Sequence, residues 1–263
     1  MKLRTKTISF VFALFAAILL IGCSDSANDA DTLLQMSAKA ALNGKNSDAL
    51  MLAKDACIVS PDNIEALLMR AVTAERCNDK QLALDSALQA LKRAPNHFAA
   101  LYTVGRLYAA GGNTAAEAMG YLEKAHTLVP DDINTLILLA DLAVTLKSEK
   151  ALDYLRKIEA LDSEIINSYE GKTMMGHAYA IRGDNRNSTL SFGIADRMSK
   201  SVLSNYNYAA AIDCLYNKPS LAIPKYELFA RQSAADPELA ALRKDVELRL
   251  EKIKKKPRST RRR

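Results

Sequence analysis

The residues of this chain best suited to acid–base or metal chemistry are its three histidines, His97, His126 and His177. They are widely separated, and none belongs to an H-E-x-x-H pair, in which two imidazoles one helical turn apart hold a metal. A serine nucleophile would need the strained G-x-S-x-G elbow, and no such run occurs. Gly111-Gly112-Asn113 is the one glycine pair, but Asn113 stands where a phosphate-cradling loop places its lysine. The four cysteines, Cys23, Cys57, Cys77 and Cys214, form no C-x-x-C pair. Metal clusters and nucleophile–base sets are therefore not read here. No catalysis, metal or cofactor is expected, and the chemistry left is recognition.

What positions such a recognition surface is a repeat. Pro61, Pro95 and Pro130 are spaced by 34 and 35 residues, and each closes a block with small residues at set offsets. Ala83, Ala87 and Ala90 precede Pro95, and Ala118, Leu122 and Ala125 precede Pro130. Two helices of three to four turns plus two tight turns consume ~34 residues, and alanine lets neighbouring helix backbones approach closely. Leu101, Val104, Gly105 and Tyr108 complete the pattern in a first helix. In these positions the chain resembles the tetratricopeptide repeat family. The resemblance implies an all-α, right-handed superhelical solenoid of about six helix-turn-helix repeats with a C-terminal capping helix.

Laid out in register, residues 30–236 form the expected array. Ala49, Ala53 and Ala56 take the second-helix positions of the first block, with a turn at Asn43-Gly44-Lys45-Asn46. The second pairs 64–76 with 81–93 across Asn78-Asp79-Lys80, and Gly111-Gly112-Asn113 turns the third. The fourth carries Leu136, Leu139, Ala140, Ala143, Ala151, Leu155 and Ile158, but its closing Leu161-Asp162-Ser163 lacks the proline. The fifth reads from Met175, Gly176 and Tyr179 through Gly183-Asp184-Asn185 to Phe192, with Ser188 where alanine is usual. The sixth is the weakest, since Pro219 suits a helix start but Pro224 should kink or delay the helix. Asp236-Pro237 then reads as a cap with proline at the first helical position of a helix over 237–256. Its stripe of Leu239, Leu242, Val246, Leu250 and Ile253 should cover the last apolar surface of the array.

The same resemblance implies that first helices line a concave groove. Its groove positions fall on Leu68, Val72, Tyr102, Arg106, Ile137, Asp141, Thr173, His177 and Asn207, most of them in i, i+4 pairs on one helix face. Such a surface suits an extended peptide or a partner helix. The Lys and Asn with which chaperone-tail binders of that family clamp a carboxylate are replaced by Leu, Tyr, Ile and Thr. Tyr102 is the expected anchor, so Tyr102→Ala should weaken partner capture without lowering the melting temperature. Arg106, Asp141 and His177 recur at one place in successive repeats. They either meet a partner or pair with one another in a solvated row.

The ends of the chain carry its address. Lys2, Arg4 and Lys6 precede an apolar run from Ile8 to Ile21, the layout of a secretory signal over residues 1–22. Leu20-Ile21-Gly22-Cys23 resembles the bacterial lipobox, which implies cleavage before Cys23 and acylation (palmitate included) of its thiol. Residues 23–29 would then tether the fold to a membrane of the bacterial envelope. Ser24 after the cysteine favours the periplasmic face of the outer membrane over the inner membrane. The expected partners are envelope proteins through the groove and the membrane through the lipidated N-terminus. Net charge is +6, of which +3 lies at Lys2, Arg4 and Lys6 and +8 in residues 252–263, leaving a mildly acidic body. The basic tail, 257–263, is expected to be disordered and suits anionic lipid or an acidic wall polymer. A secreted chain meets no nucleic acid. Cys57 and Cys77 fall at opposite ends of neighbouring helices, so they and Cys214 are read as buried small hydrophobes rather than as disulfides.

Overall fold

The computed structural model describes residues 29–111, 114–199, 201–215 and 217–255. The signal segment, Cys23, the tether up to Asn28 and the tail 257–263 lie outside the described residues, as do Gly112 and Asn113. Among the described residues there are fourteen α-helices, one π-helical turn and no strand. They form two compact units that divide between Leu146 and Lys147.

The first unit contains α1 (Ala30–Leu42), α2 (Asn46–Val59), α3 (Ile64–Arg76), α4 (Lys80–Arg93), α5 (Phe98–Gly111), α6 (Ala115–Leu128) and α7 (Ile133–Thr145). Consecutive helices pack as antiparallel hairpins, α1 on α2, α3 on α4 and α5 on α6, and each hairpin packs on the next. The first helices also touch one another, α1 with α3, α3 with α5 and α5 with α7. This makes an inner layer of first helices backed by second helices, and each hairpin buries its apolar face on its neighbours.

Local chemistry explains where these helices start and stop. Asn63 Oδ1 accepts the Ala66 N–H at 2.9 Å, Asp79 Oδ1 accepts that of Leu82 at 3.1 Å, and Asp132 Oδ2 accepts that of Thr135 at 2.7 Å. The turns within hairpins each need one left-handed residue, filled by Gly44 (φ 75°) and Asn78 (φ 61°). Between helices the contact is close because the second-helix positions are small. Ala49, Ala53, Ala56, Ala83, Ala87, Ala90, Ala118 and Ala125 are all fully buried. A Cβ on Gly105 would lie 2.7 Å from Leu122 Cγ and 3.2 Å from the Ala118 carbonyl, so α5 and α6 meet where that side chain is missing. Tyr108 and Tyr121 stack beside this contact with ring centroids 5.6 Å apart.

The second unit holds α8 (Lys150–Leu161), α9 (Ser163–Ile166), α10 (Tyr169–Ile181), α11 (Asn185–Met198), α12 (Val202–Ala210), α13 (Pro219–Gln232) and α14 (Ala240–Lys255). Where the fourth block lacks its proline, Asp162 caps a further short helix instead, accepting the Glu164 N–H at 3.0 Å, and Ile166 of α9 is fully buried. α10 and α11 form a hairpin turned by Gly183 (φ 75°). Ser188 fits the usual alanine site because its hydroxyl donates to the Gly176 carbonyl at 2.8 Å, leaving no unpaired polar group there.

The sixth block differs most from expectation. α12 runs into a π-helical turn, Ala211–Leu215, before the hairpin turn at Asn217 (φ 50°). Pro224 neither delays nor ends α13, which begins at Pro219 and continues through it. Pro224 and the residue four before it, Ser220, are both exposed, so water can take the carbonyl that the missing N–H leaves. At the C-terminal helix the expected start at Pro237 is corrected. Asp236 Oδ1 does accept the Glu238 N–H at 2.9 Å, but residues 237–239 form a turn and the helix begins at Ala240. Val246, Leu250 and Ile253 pack on Tyr226 and Phe229, with Leu239 and Leu242 partly buried beside them.

The cysteines among the described residues are free, and only Cys57 is buried. Cys77 is half-buried and Cys214 is exposed on the π turn, so the buried reading holds for one of the three.

Candidate protein-binding groove

In the first unit the groove positions lie on three adjacent first helices: Leu68 and Val72 on α3, Tyr102 and Arg106 on α5, Ile137 and Asp141 on α7. Contact between successive first helices brings these i, i+4 pairs into neighbouring rows. Leu68 and Val72 belong to the apolar cluster of the first hairpins, packed with Leu34, Ala38 and Leu67. Ile137 is also buried, and Tyr102 is 4% exposed. Burial pushes the Tyr102 phenol up to about 12, partly offset by the Arg106 charge, so it stays a neutral donor at any physiological pH. Its ring lies beside Phe98 at 6.2 Å. This burial corrects the expectation for Tyr102→Ala: deleting the ring would lower stability as well as any partner contact.

Arg106 is held on this surface by an ion pair. Its two terminal nitrogens donate to the two carboxylate oxygens of Glu75, both at 2.6 Å, in a bidentate pair. Burial opposes the charge, but the Glu75 hydrogen bonds and charge outweigh it and raise the guanidinium above its ordinary value. Arg106 is thus paired within the array, but the partner found is Glu75 of the preceding hairpin and not a member of the row of Arg106, Asp141 and His177. Sequence reasoning missed Glu75, because a residue 31 positions earlier becomes a neighbour only through stacking. Beside the pair a cleft of about 350 Å³ opens between Glu75, Lys80, Gln81 and Leu84 on one side and Leu107 and Tyr108 on the other. Asp141 is half-buried on α7.

In the second unit Thr173 is buried, and its hydroxyl donates to the Tyr169 carbonyl one turn back at 2.9 Å. His177 is half-buried and meets the Phe192 ring edge-on at 4.9 Å. Burial lowers its pKa, so the imidazole is neutral near pH 7. Asn207 is half-buried on α12.

Two polar clusters near the end of the second unit had no signal in the sequence. Lys225 Nζ donates to both Asp196 oxygens, at 2.8 and 2.6 Å, and to Asn205 Oδ1 at 3.0 Å. Asp213, carried inward by the π turn, accepts from Arg249 Nε at 2.8 Å, Arg249 Nη2 at 2.7 Å and the Tyr226 hydroxyl at 3.2 Å. Both join elements of the fold and neither opens a site. Among the described residues no group of His, Cys, Asp or Glu could hold a metal ion, and no helix is long and apolar enough to cross a membrane.

The hairpin repeat, the inner layer of first helices and the small-residue contacts define a tetratricopeptide-repeat fold, and the comparisons agree. The chain is similar to PilF of Pseudomonas aeruginosa, with 15% identity over 82% of this chain and 97% of that one, at a TM-score of 0.60. PilW, a type IV pilus biogenesis factor, aligns at 16% identity over 81% and 97%, also at 0.60. YrrB, a repeat protein with an unusual peptide-binding site, aligns at 14% identity over 74% and 96%, at 0.58. No family model and no curated protein matches the sequence. At these identities the likeness is one of fold.

Proposed function

We propose that this chain is a non-enzymatic scaffold, anchored by lipid at Cys23 in a bacterial cell envelope, that holds other polypeptides against its layer of first helices. The observation that carries the reading is the contact of α1, α3, α5 and α7 in series, which joins their faces into one surface. Such a surface can hold an extended segment or a helix with apolar contacts and a few polar points. The partly exposed Arg106–Glu75 pair supplies such a point at its centre. The fold likeness to PilW and PilF supports assistance to pilus or secretion-complex assembly, and adaptors for wall-processing enzymes share the same physical demands. The apolar stretch before Leu20-Ile21-Gly22-Cys23 supports the signal and the anchor, and Ser24 supports the outer membrane. The cleft beside Glu75 favours a second reading, a small-ligand or enzyme-accessory role.

Cross-linking the lipidated chain in a bacterial host and identifying what it captures tests the scaffold. Discrete envelope proteins should be caught, and fewer of them by the paired variant Glu75→Gln/Arg106→Gln. Replacing both partners leaves no unpaired charge, so its melting temperature should stay close to that of the parent. Capture of no discrete protein, with stabilisation by a small metabolite instead, would replace the scaffold by the second reading.

A further inference from the structure

The first hairpin carries exposed apolar side chains on its outer face where the second carries charged ones. Ser47, Met51, Lys54 and Ile58 follow at i, i+4, i+7 and i+11 on α2, hence on one side, and all are exposed. Ile58 is 76% exposed, Met51 58% and Val59 48%. One repeat later the same places hold Asp85, Lys92 and Arg93, all exposed, and in the third hairpin Gly120, Thr127 and Leu128. Leu190 and Met198 are exposed at matching places of α11, so what sets the first hairpin apart is its place at the start of the described chain. A stripe of this kind at the end of a repeat array would ordinarily be polar, to keep that end soluble.

The position of the stripe indicates what covers it. α2 returns antiparallel to α1 after a short turn, so its last turn, with Ile58 and Val59, lies level with Asp29, where the described chain begins. Five residues, 24–28, separate Cys23 from that point, a reach of roughly 20 Å at full extension. An acyl anchor on Cys23 would hold this end of the hairpin at the headgroup level. There Met, Ile and Val side chains can enter the acyl boundary while Lys54 between them reaches lipid phosphate. Asp48 and Asp55 flank the stripe and limit its width.

We infer that the outer face of α2, through Met51, Ile58 and Val59, is a membrane-contact surface that lies on the phospholipid to which the chain is tethered. The inference rests on the lipid anchor proposed above. It adds that the anchor does not merely leash the array but sets its first hairpin against the bilayer.

The chain contains no tryptophan, so one introduced at a chosen place reports its surroundings alone. Full-length lipidated protein carrying Ile58→Trp, or Lys92→Trp at the matching place of the second hairpin, is reconstituted in phosphatidylethanolamine–phosphatidylglycerol vesicles with and without brominated lipid. Emission from position 58 should move to shorter wavelength and be quenched by the brominated lipid, and emission from position 92 should do neither. Met51→Trp serves as a second reporter should Ile58→Trp lose helical circular dichroism. Flotation of the same samples reads the anchor separately. Protein that fails to float overturns the anchor and this surface together. Protein that floats with unquenched emission at position 58 overturns the surface alone. A shift to shorter wavelength without quenching assigns the stripe to a second copy or another protein, and also overturns it.

Discussion

The helix that closes the second unit is held by a charge pair, and removing one side of it should loosen that helix by a measurable amount. Asp213 is buried with its side chain wholly inaccessible, whereas the Arg249 side chain is 44% exposed. Arg249→Met keeps an unbranched apolar stem but deletes both hydrogen bonds to Asp213, leaving the carboxylate with the Tyr226 hydroxyl alone. Breaking a fully buried pair from one side costs ~3–5 kcal/mol, because the remaining charge is stranded. Here water reaches the arginine side and can partly solvate what is left, so about 2–3 kcal/mol is expected. A repeat array need not unfold in one step, and a global melt would dilute the effect. Hydrogen exchange of the α14 amides reads the local opening directly. At ~1.4 kcal/mol per decade the variant should exchange roughly 30- to 150-fold faster in α14, with α10 and α11 unchanged. The double variant Asp213→Asn/Arg249→Met should recover part of the loss, since no charge is then stranded. Exchange in α14 within about threefold of the parent would refute the reasoning, because it would mean that Val246, Leu250 and Ile253 hold the helix unaided.

Two further outcomes follow from the packing and from titration. Ala87→Leu or Ala90→Leu adds bulk at a fully buried helix contact and should cost ~1–3 kcal/mol, and a thermal melt unchanged by both would count against the repeat register. His177 is held neutral beside Phe192, with its folded pKa below the ordinary 6.5. The unfolded chain therefore takes up a proton first as the pH falls, so the stability held above about pH 6.5 is lost on acidification toward the lower folded value. The melting temperature should drop less for His177→Gln than for the parent between about pH 7 and pH 5, and equal drops would reject this role.

Much of the fold was legible because repeat positions are set by local chemistry. Gly44, Asn78 and Gly183 mark turns in which one residue must be left-handed, and these were readable from residue type. The alanines at 49, 53, 56, 83, 87 and 90 named the helix contacts, since only small residues permit that approach. Lys147 takes the same left-handed role at φ 54°, and its type gives no sign of it. The short helix α9 was equally hidden, because its four residues show no period of their own. Pro224 misled for the opposite reason. A local rule against proline in helices is relaxed where the freed carbonyl faces water, and exposure is a property of the folded chain.

The groove divides along the same line. Which residues share a helix face follows from i, i+4 spacing, and the chain alone determined that Leu68 lies with Val72 and Tyr102 with Arg106. How far each is buried, that Arg106 meets Glu75, and that a π turn delivers Asp213 to Arg249 were decided by stacking and closure of the hairpins. A helix fixes the direction of its side chains from its own bonds, but what lies opposite them is set by residues some thirty positions away, and pairings at that distance exist only once the hairpins have packed.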